Sequence, residues 1–192
     1  MHTQLIKSLQ SKVDLSPKEA EMMKKFFIPK KIRKRQFILN AGDVCQQIAF
    51  VEKGLLRSFV IDDRDHEHVM QFSAEGWWAS DMKSFLSGEV SDFNIEALED
   101  SELLLLNKQS QEEMMQQLPV IDKYFRILMQ NHIIALQRRI ISSLSHSAEE
   151  KYTMLMDTCP NIVNRASQQH IASFLGITPE TLSRIRKQVS QK

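Results

Sequence analysis

Hydrophobic residues follow two different spacings, and the change between them falls near Gln109. From Phe27 to Leu106, short apolar runs alternate with polar turns that contain glycine or aspartate. Runs of this kind predict short β-strands, namely IPKKIRK, QFIL, QIAFV, LLRSFVI, HVMQFS, FNIEAL and ELLLL. So many short strands in succession are typical of a jelly roll, also called a double-stranded β-helix.

After Gln109 the hydrophobic residues recur at steps of three and four. Between Leu118 and Leu144 this period predicts one long amphipathic helix. A helix of about 25 residues is about 37 Å long, and that length favours a partner helix from a second subunit over packing on the β domain alone. A shorter helix is predicted near Ala148 to Asp157, and Cys159-Pro160 then interrupts the pattern.

The segment after Asn161 carries the most specific pattern of the chain. Its sequence QQHIASFLGITPETLSRIRK, which begins at Gln168, fits the frame of a helix-turn-helix. Gly176 stands in the tight turn, where a positive φ is required, and Thr178 and Pro179 are suited to start the second helix. The residues expected to be buried are Ile171, Leu175, Ile177, Leu182 and Ile185, and Ala172 is small where the two helices cross. A hairpin that served only for packing would not need the exposed, basic second helix.

The outward side of this second helix, residues 179–188, predicts binding to double-stranded DNA. An arginine can donate two hydrogen bonds to guanine, and a glutamate can accept one from cytosine. Base reading is therefore expected from Glu180, Thr181, Ser183 and Arg184. Phosphate contacts, which position a protein without reading sequence, are expected from Arg165, Ser167, Gln169, Thr178, Arg186 and Lys187.

Composition and charge fit an ordinary globular protein with two modules. The chain has 192 residues, of which 42% are hydrophobic and 26% charged. Residues 161–192 contain five basic residues and one acidic residue, whereas residues 60–113 contain three basic and fourteen acidic residues. The tail is thus the part suited to a polyanion. No apolar run approaches the roughly 20 residues of a membrane span, and the N-terminus lacks the apolar core of a signal peptide. We therefore expect a cytoplasmic protein with no membrane partner.

A β-roll, a long helix and a C-terminal helix-turn-helix in this order resemble the Crp/Fnr family of transcription regulators. Glu180-Thr181, Arg184 and Ile185 are similar to the family pattern Arg-Glu-Thr-x-x-Arg-Ile, with Pro179 in place of the first arginine. Related landmarks in the roll are FILNAGD, FVEKG and AEGWW.

The resemblance implies an α+β fold with three parts. These are a cyclic-nucleotide-binding-like β-roll with N-terminal helices at residues 1–116, a long dimerisation helix at 117–146 and a helix-turn-helix domain at 147–192. It also implies a homodimer that presents two recognition helices to successive major grooves of a palindromic site, roughly 34 Å apart, with RNA polymerase as a further partner. Because Pro179 replaces an arginine, the preferred site should differ from the best-known family site.

The resemblance fails where family members bind a cyclic nucleotide. Those members use a Gly-Glu pair and a later Arg-Ser or Arg-Thr pair for the phosphate, and a Thr-Ser pair on the long helix for the adenine. The corresponding positions here are Ser80-Asp81, Ser91-Asp92 and Leu136-Gln137. A phosphate would meet an aspartate instead of a guanidinium, which costs on the order of several kcal/mol where water is excluded. We therefore expect a degenerate pocket, no response to cyclic AMP and an unidentified effector.

A second register does not restore a cation, because taking Gly88-Glu89 as the first pair places Glu99 at the arginine position. Arg57 and Arg64 lie on other predicted strands, so they could hold an anion only through a different geometry.

Two other classes of protein remain open at this point. One is a sensor of a cyclic nucleotide or another small ligand, for which DNA binding is secondary. The other is a cupin-like metalloprotein, because His66 and His68 would share one face of a strand, although the cupin glycine and glutamate are not at their usual spacing. No nucleophile lies near a base in the sequence, so we expect no enzyme, no cofactor and no metal. Cys45 and Cys159 belong to no metal motif and are expected to be free thiols.

Overall fold

The β-roll forms as predicted in the computed structural model, which describes residues 2–189. Its strands are β1 Ile28–Ile32, β2 Phe37–Leu39, β3 Gln47–Lys53, β4 Leu56–Ile61, β5 Glu67–Ser73, β6 Trp78–Ala79, β7 Asn94–Ala97 and β8 Ser101–Asn107. They pair antiparallel in two sheets, with strand orders β1-β8-β3-β6 and β2-β7-β4-β5. Strand β5 therefore lies at an edge of its sheet.

Two N-terminal helices, α1 Thr3–Gln10 and α2 Pro17–Met23, complete the roll. Strand β3 is buried along Ile48–Glu52 on both faces, because α1 packs against it. The buried carboxylate of Glu52 accepts hydrogen bonds from the amides of Gln4, at 3.2 Å, and Leu5, at 2.8 Å. These two amides have no partner within the helix, so Glu52 fixes the start of α1 on the sheet.

The predicted long helix is present as α5 Pro119–Ser145, with 27 residues. Two further helices, α3 Met82–Ser87 and α4 Lys108–Gln117, precede it. The first turns of α5 pack on the roll through the buried side chains of Ile121, Tyr124 and Phe125. The indole nitrogen of Trp78 donates a hydrogen bond to the hydroxyl of Tyr124 at 3.2 Å. Beyond these turns the apolar side chains of α5 are exposed.

Four helices form the C-terminal module: α6 Ala148–Thr158, α7 Pro160–Arg165, α8 Gln168–Leu175 and α9 Pro179–Val189. Helix α7 differs from the expectation, because the Cys159-Pro160 pair predicts a break in the helical pattern. Pro160 instead occupies the first helical position, where its missing N–H leaves no hydrogen bond unmade. The shared core of the module consists of Tyr152, Leu155, Val163, Ile171, Ala172, Leu175, Leu182 and Ile185.

None of the helices within residues 2–189 combines the length and the apolar character that a membrane crossing requires.

Candidate DNA-binding interface

The turn between α8 and α9 has the local geometry that the sequence predicts. The hydroxyl of Ser167 caps α8 by accepting a hydrogen bond from the amide of His170 at 3.1 Å. Gly176 adopts a φ of 66°, and the amide of Ile177 donates to the carbonyl of Ala172 at 3.0 Å. This is the bonding pattern of a Schellman motif, which ends a helix on a left-handed residue.

Helix α9 has one buried face and one exposed face. Leu182 and Ile185 are buried against α6 and α8, whereas Glu180, Arg184 and Lys187 are exposed. Of the other predicted base-reading residues, Thr181 and Ser183 are half-buried. The amide of Thr181 donates to the hydroxyl of Thr178 at 3.2 Å, which caps the start of the helix. The exposed residues follow a spacing of four and three, so they lie on one side of the helix.

Arg165, a predicted phosphate contact, is instead bound to the β-roll. Its guanidinium donates to the Glu75 carboxylate at 2.8 and 2.9 Å and to the Glu99 carboxylate at 2.5 and 3.2 Å. We call this ion-pair cluster of Arg165, Glu75 and Glu99 the Arg165 clasp. One cation between two carboxylates leaves a net negative charge, so this geometry does not support a phosphate contact by Arg165.

Protonation states within the Arg165 clasp follow from its hydrogen bonds. The bonds to Glu99 and Glu75 raise the pKa of Arg165 above its ordinary value. Burial alone would raise the pKa of Glu75, but the hydrogen bonds from Arg165 and from the Gly54 amide outweigh burial and lower it. Arg165 and Glu75 are therefore both charged at neutral pH, which strengthens their bidentate contact.

The helix-turn-helix also packs on the exposed edge of β5. The hydroxyl of Ser173 in α8 accepts from the amide of Val69 at 2.9 Å and donates to the carbonyl of Glu67 at 2.7 Å. Arg139 of α5 donates to the carbonyls of Met70 and, at 3.0 Å, Val69. Polar groups of an edge strand would otherwise be left unpaired.

Apolar packing accompanies these polar contacts. The ring of Phe174 in α8 lies 5.2 Å from the ring of Phe72 in β5, and the Arg139 guanidinium lies 4.6 Å from the Phe174 ring centre. A buried cluster joins the two modules through Leu55, Phe59, Val69, Phe72 and Ile162. The sequence does not predict this interface, because the residues that form hydrogen bonds across it are 66 to 106 positions apart.

A second charged cluster lies at the same junction. Arg57 is 5% exposed and bonds to the carboxylates of Glu67 and Glu96, with 2.7 Å separating it from Glu96. Its guanidinium also stacks on the ring of Phe59, at 4.0 Å. His170 of α8 lies close by, and burial together with the charge of Arg57 lowers its pKa. Arg57 therefore serves the interface between modules and is not directed to an anion in the roll.

The positions aligned with the family's phosphate site come together in the fold. One oxygen of the buried Asp81 carboxylate accepts from the Ser91 hydroxyl at 2.7 Å, and the other accepts from the Ser84 amide at 3.2 Å. Ser80 is half-buried beside them, whereas Asp92 is exposed and lies 3.6 Å from the Lys83 ammonium. Asp81 and Ser91, at two of the positions aligned with the phosphate-binding residues of relatives, are thus hydrogen-bonded to each other.

The other candidate residues lie in separate parts of the fold. Leu136 and Gln137 lie on the exposed part of α5. Asp62 accepts hydrogen bonds from the imidazole of His68 at 2.8 Å and from the amide of His66 at 3.0 Å in the turn before β5. Across residues 2–189, no group of three or more His, Cys, Asp or Glu residues is arranged to hold a metal. Both cysteines are free, and burial raises the pKa of the Cys45 thiol.

Comparisons with known proteins agree with this architecture. The sequence profile of the cyclic nucleotide-binding domain matches residues 29–118. The fumarate and nitrate reduction regulatory protein of Vibrio cholerae is 24% identical, in an alignment that covers 81% of this chain and 66% of that protein. The chain thus matches slightly less than two thirds of that relative's length.

Two solved structures share the fold. The regulator CLP of Xanthomonas campestris, described as responsive to c-di-GMP, matches with a TM-score of 0.73 at 14% identity, over 92% of each chain. The catabolite activator protein of Thermus thermophilus matches with a TM-score of 0.60 at 20% identity, over 96% of this chain and 87% of its own. All three relatives are regulators or activators by name, which agrees with the expectation that the chain is not an enzyme. On the combined evidence of the roll, the long helix, the C-terminal helical module and these matches, the chain carries a region that matches the cyclic nucleotide-binding domain and shares the fold of these regulators.

Proposed function

We propose that the protein is a transcription regulator that binds a palindromic DNA site as a homodimer. The observation that carries the proposal is helix α9, which is capped at its start, buried through Leu182 and Ile185 and exposed through Glu180 and Arg184. An exposed helix held in this way can enter the major groove, which is about 12 Å wide, and present two side chains to base edges.

The exposed apolar side of α5 supports the homodimer. Ile133, Leu136, Ile140 and Leu144 are 56%, 44%, 60% and 83% exposed, although all four are large aliphatic residues. They follow one another at steps of three and four, so they form a continuous stripe along the helix. A second copy of α5 would cover this stripe and place two α9 helices on one duplex.

The proposed regulator does not respond to cyclic AMP. An anion at the Asp81–Ser91 pair would displace the hydrogen bond of 2.7 Å and meet a buried carboxylate. Burying two like charges together is unfavourable unless one of them is neutralised. The roll then either binds a different effector or serves for dimerisation and contact with RNA polymerase.

A sensor of another nucleotide is the second candidate, because the roll matches the cyclic nucleotide-binding domain. Titration calorimetry with cyclic AMP, cyclic GMP and c-di-GMP tests it, the last because CLP is described as responsive to that ligand. Tight binding of cyclic AMP would contradict the proposed insensitivity. Tight binding of another ligand would identify the effector and favour the sensor.

Selection of bound duplexes from a random pool tests the DNA-binding proposal directly. We expect enrichment of a palindrome whose half-sites are separated by about one helical turn, with an affinity that falls as salt rises. The same selection with candidate ligands shows whether any of them changes the affinity. A protein without salt-dependent affinity for any selected duplex is not a DNA-binding regulator of this type.

A further inference from the structure

We infer that the Arg165 clasp is a positioning device that fixes the helix-turn-helix on the β-roll and thereby sets the half-site spacing that the protein prefers. This inference rests on the proposed DNA-binding function. It assigns a role to Arg165, Glu75 and Glu99 in place of the phosphate contact that the sequence suggests for Arg165.

The first argument is the geometry of the ion pairs. Arg165 uses Nε and both terminal nitrogens on two carboxylates, at distances of 2.5 to 3.2 Å. A planar guanidinium held at three nitrogens restrains rotation as well as distance. Glu75 is itself fixed, because its carboxylate accepts from the Gly54 amide at 2.8 Å.

The second argument is where the two carboxylates lie in the fold. Glu75 lies in the turn after β5, and Glu99 lies in the turn between β7 and β8. The guanidinium thus bridges two separate turns of the roll from the last residue of α7, just before the Ser167 cap of α8. A small rotation about this point would move α9, which follows α8 through the short turn at Gly176.

The third argument is that this docked arrangement leaves α9 accessible. The contacts to the roll are made by Ser173 and Phe174 of α8 and by Ile162 and Arg165 of α7. Glu180 and Arg184 remain exposed. Docking therefore orients the recognition helix without covering it, which is what a positioning contact has to do.

The test compares Arg165→Gln with Glu99→Gln and Glu75→Gln, using the whole protein and a set of selected duplexes whose half-site spacing varies. If the clasp positions the helix-turn-helix, all three variants should bind the duplex with the preferred half-site spacing about tenfold more weakly. Their affinity should depend less on the spacing, and its dependence on salt should be unchanged.

A phosphate contact by Arg165 predicts a different pattern. Arg165→Gln alone would weaken binding, at every spacing, and would reduce the salt slope by about 0.9. The glutamate variants, which remove negative charge, would then bind equally or more tightly.

Glu112→Gln is the matched control for charge, because it removes one carboxylate from an exposed position on α4. Its affinity and its spacing preference should match those of the unmodified protein. Glutamate variants that behave like this control would overturn the inference.

A second readout needs no DNA and separates failure of the clasp from failure of the proposed function. The amide of Val69 is bonded to Ser173 across the interface, so loosening of the clasp should speed its hydrogen exchange by about tenfold in the Arg165 and Glu99 variants. The amides of the buried residues Leu103 to Leu106 should keep their exchange rates, which would exclude general unfolding. Unchanged exchange at Val69 in both variants would overturn the clasp, even if the unmodified protein binds no duplex.

Discussion

Arg57 and Arg165 illustrate how individual charged residues are used in this protein. Each arginine binds two carboxylates of the roll, and each lies at the junction between the roll and the helix-turn-helix. The sequence shows an acidic middle and a basic tail, which by itself suggests that the tail is free for a polyanion. In the fold, Arg165 of the basic C-terminal region instead pairs with Glu75 and Glu99 of the acidic region. Within the C-terminal module, Arg184 on α9 is exposed, whereas Arg165 is bound to the roll.

Arg184→Ala tests the proposed reading of a base by a single residue. Removal of a bidentate contact to guanine should cost about 1 to 3 kcal/mol of discrimination at one G·C pair. Affinities for the selected site and for duplexes with each base pair changed in turn measure this loss. Equal weakening on all duplexes, selected or random, would instead identify Arg184 as a phosphate contact.

His170→Asn tests how protonation affects the interface between the modules. Burial and the charge of Arg57 lower the pKa of His170, against the smaller opposing effects of Glu67 and Glu96. As the pH falls below about 6.5, the unfolded chain binds a proton at this site before the folded chain does. The free energy of unfolding therefore falls as the pH drops from about 6.5 to the lowered pKa of His170.

Urea unfolding at about pH 7.5 and about pH 5.5 measures the effect. The unmodified protein should lose more stability between these two values than His170→Asn does. His132→Asn changes an exposed histidine on α5 and serves as the matched control, whose loss should equal that of the unmodified protein. An identical loss in all three proteins would show that His170 does not contribute.

At the scale of elements, sequence periodicity was informative wherever an element was long enough to show it. Seven strands lie in the predicted apolar runs, and the helix predicted between Leu118 and Leu144 is α5 Pro119–Ser145. Strand β6 was missed because its two residues cannot display an alternation. Helix α7 is not evident from the sequence, because Pro160 interrupts a helix interior but is favourable at the first helical position. The Arg165 clasp could not be predicted, because its partners are 66 and 90 residues away from Arg165.

Gly176→Ala tests the turn between α8 and α9. The φ of 66° strains any residue with a Cβ, and no atom lies within 4 Å of the position that a Cβ would take. The cost should therefore be conformational, on the order of 1 to 2 kcal/mol of unfolding free energy. Gly176→Asn should lose less, since asparagine tolerates this conformation better than alanine. Chemical unfolding of both variants measures the difference, and an equal loss would point to a cause other than φ.

At the scale of the whole molecule, helix α8 is packed against the roll, whereas the apolar stripe of α5 stays exposed. Contacts within one chain pack α8 against β5. The apolar stripe of α5 receives no such cover from the rest of residues 2–189. A helix that is buried over its first turns and exposed and apolar over the rest is unfavourable in water. In the proposed homodimer, pairing of α5 with a second copy would remove that exposure and would make dimerisation part of DNA binding.

Ile140→Asp tests this link between dimerisation and DNA binding. Ile140 is 60% exposed within one chain, so the substitution should leave the fold of the chain intact, while it would bury a charge between two paired helices. We expect a monomer by sedimentation and an affinity for the palindrome at least tenfold weaker, since the second half-site no longer binds together with the first. Ile28→Asp, at a position on β1 that is 51% exposed, is the matched control and should remain dimeric with unchanged affinity. A dimeric Ile140→Asp protein that binds the palindrome normally would place the dimer interface elsewhere on the molecule.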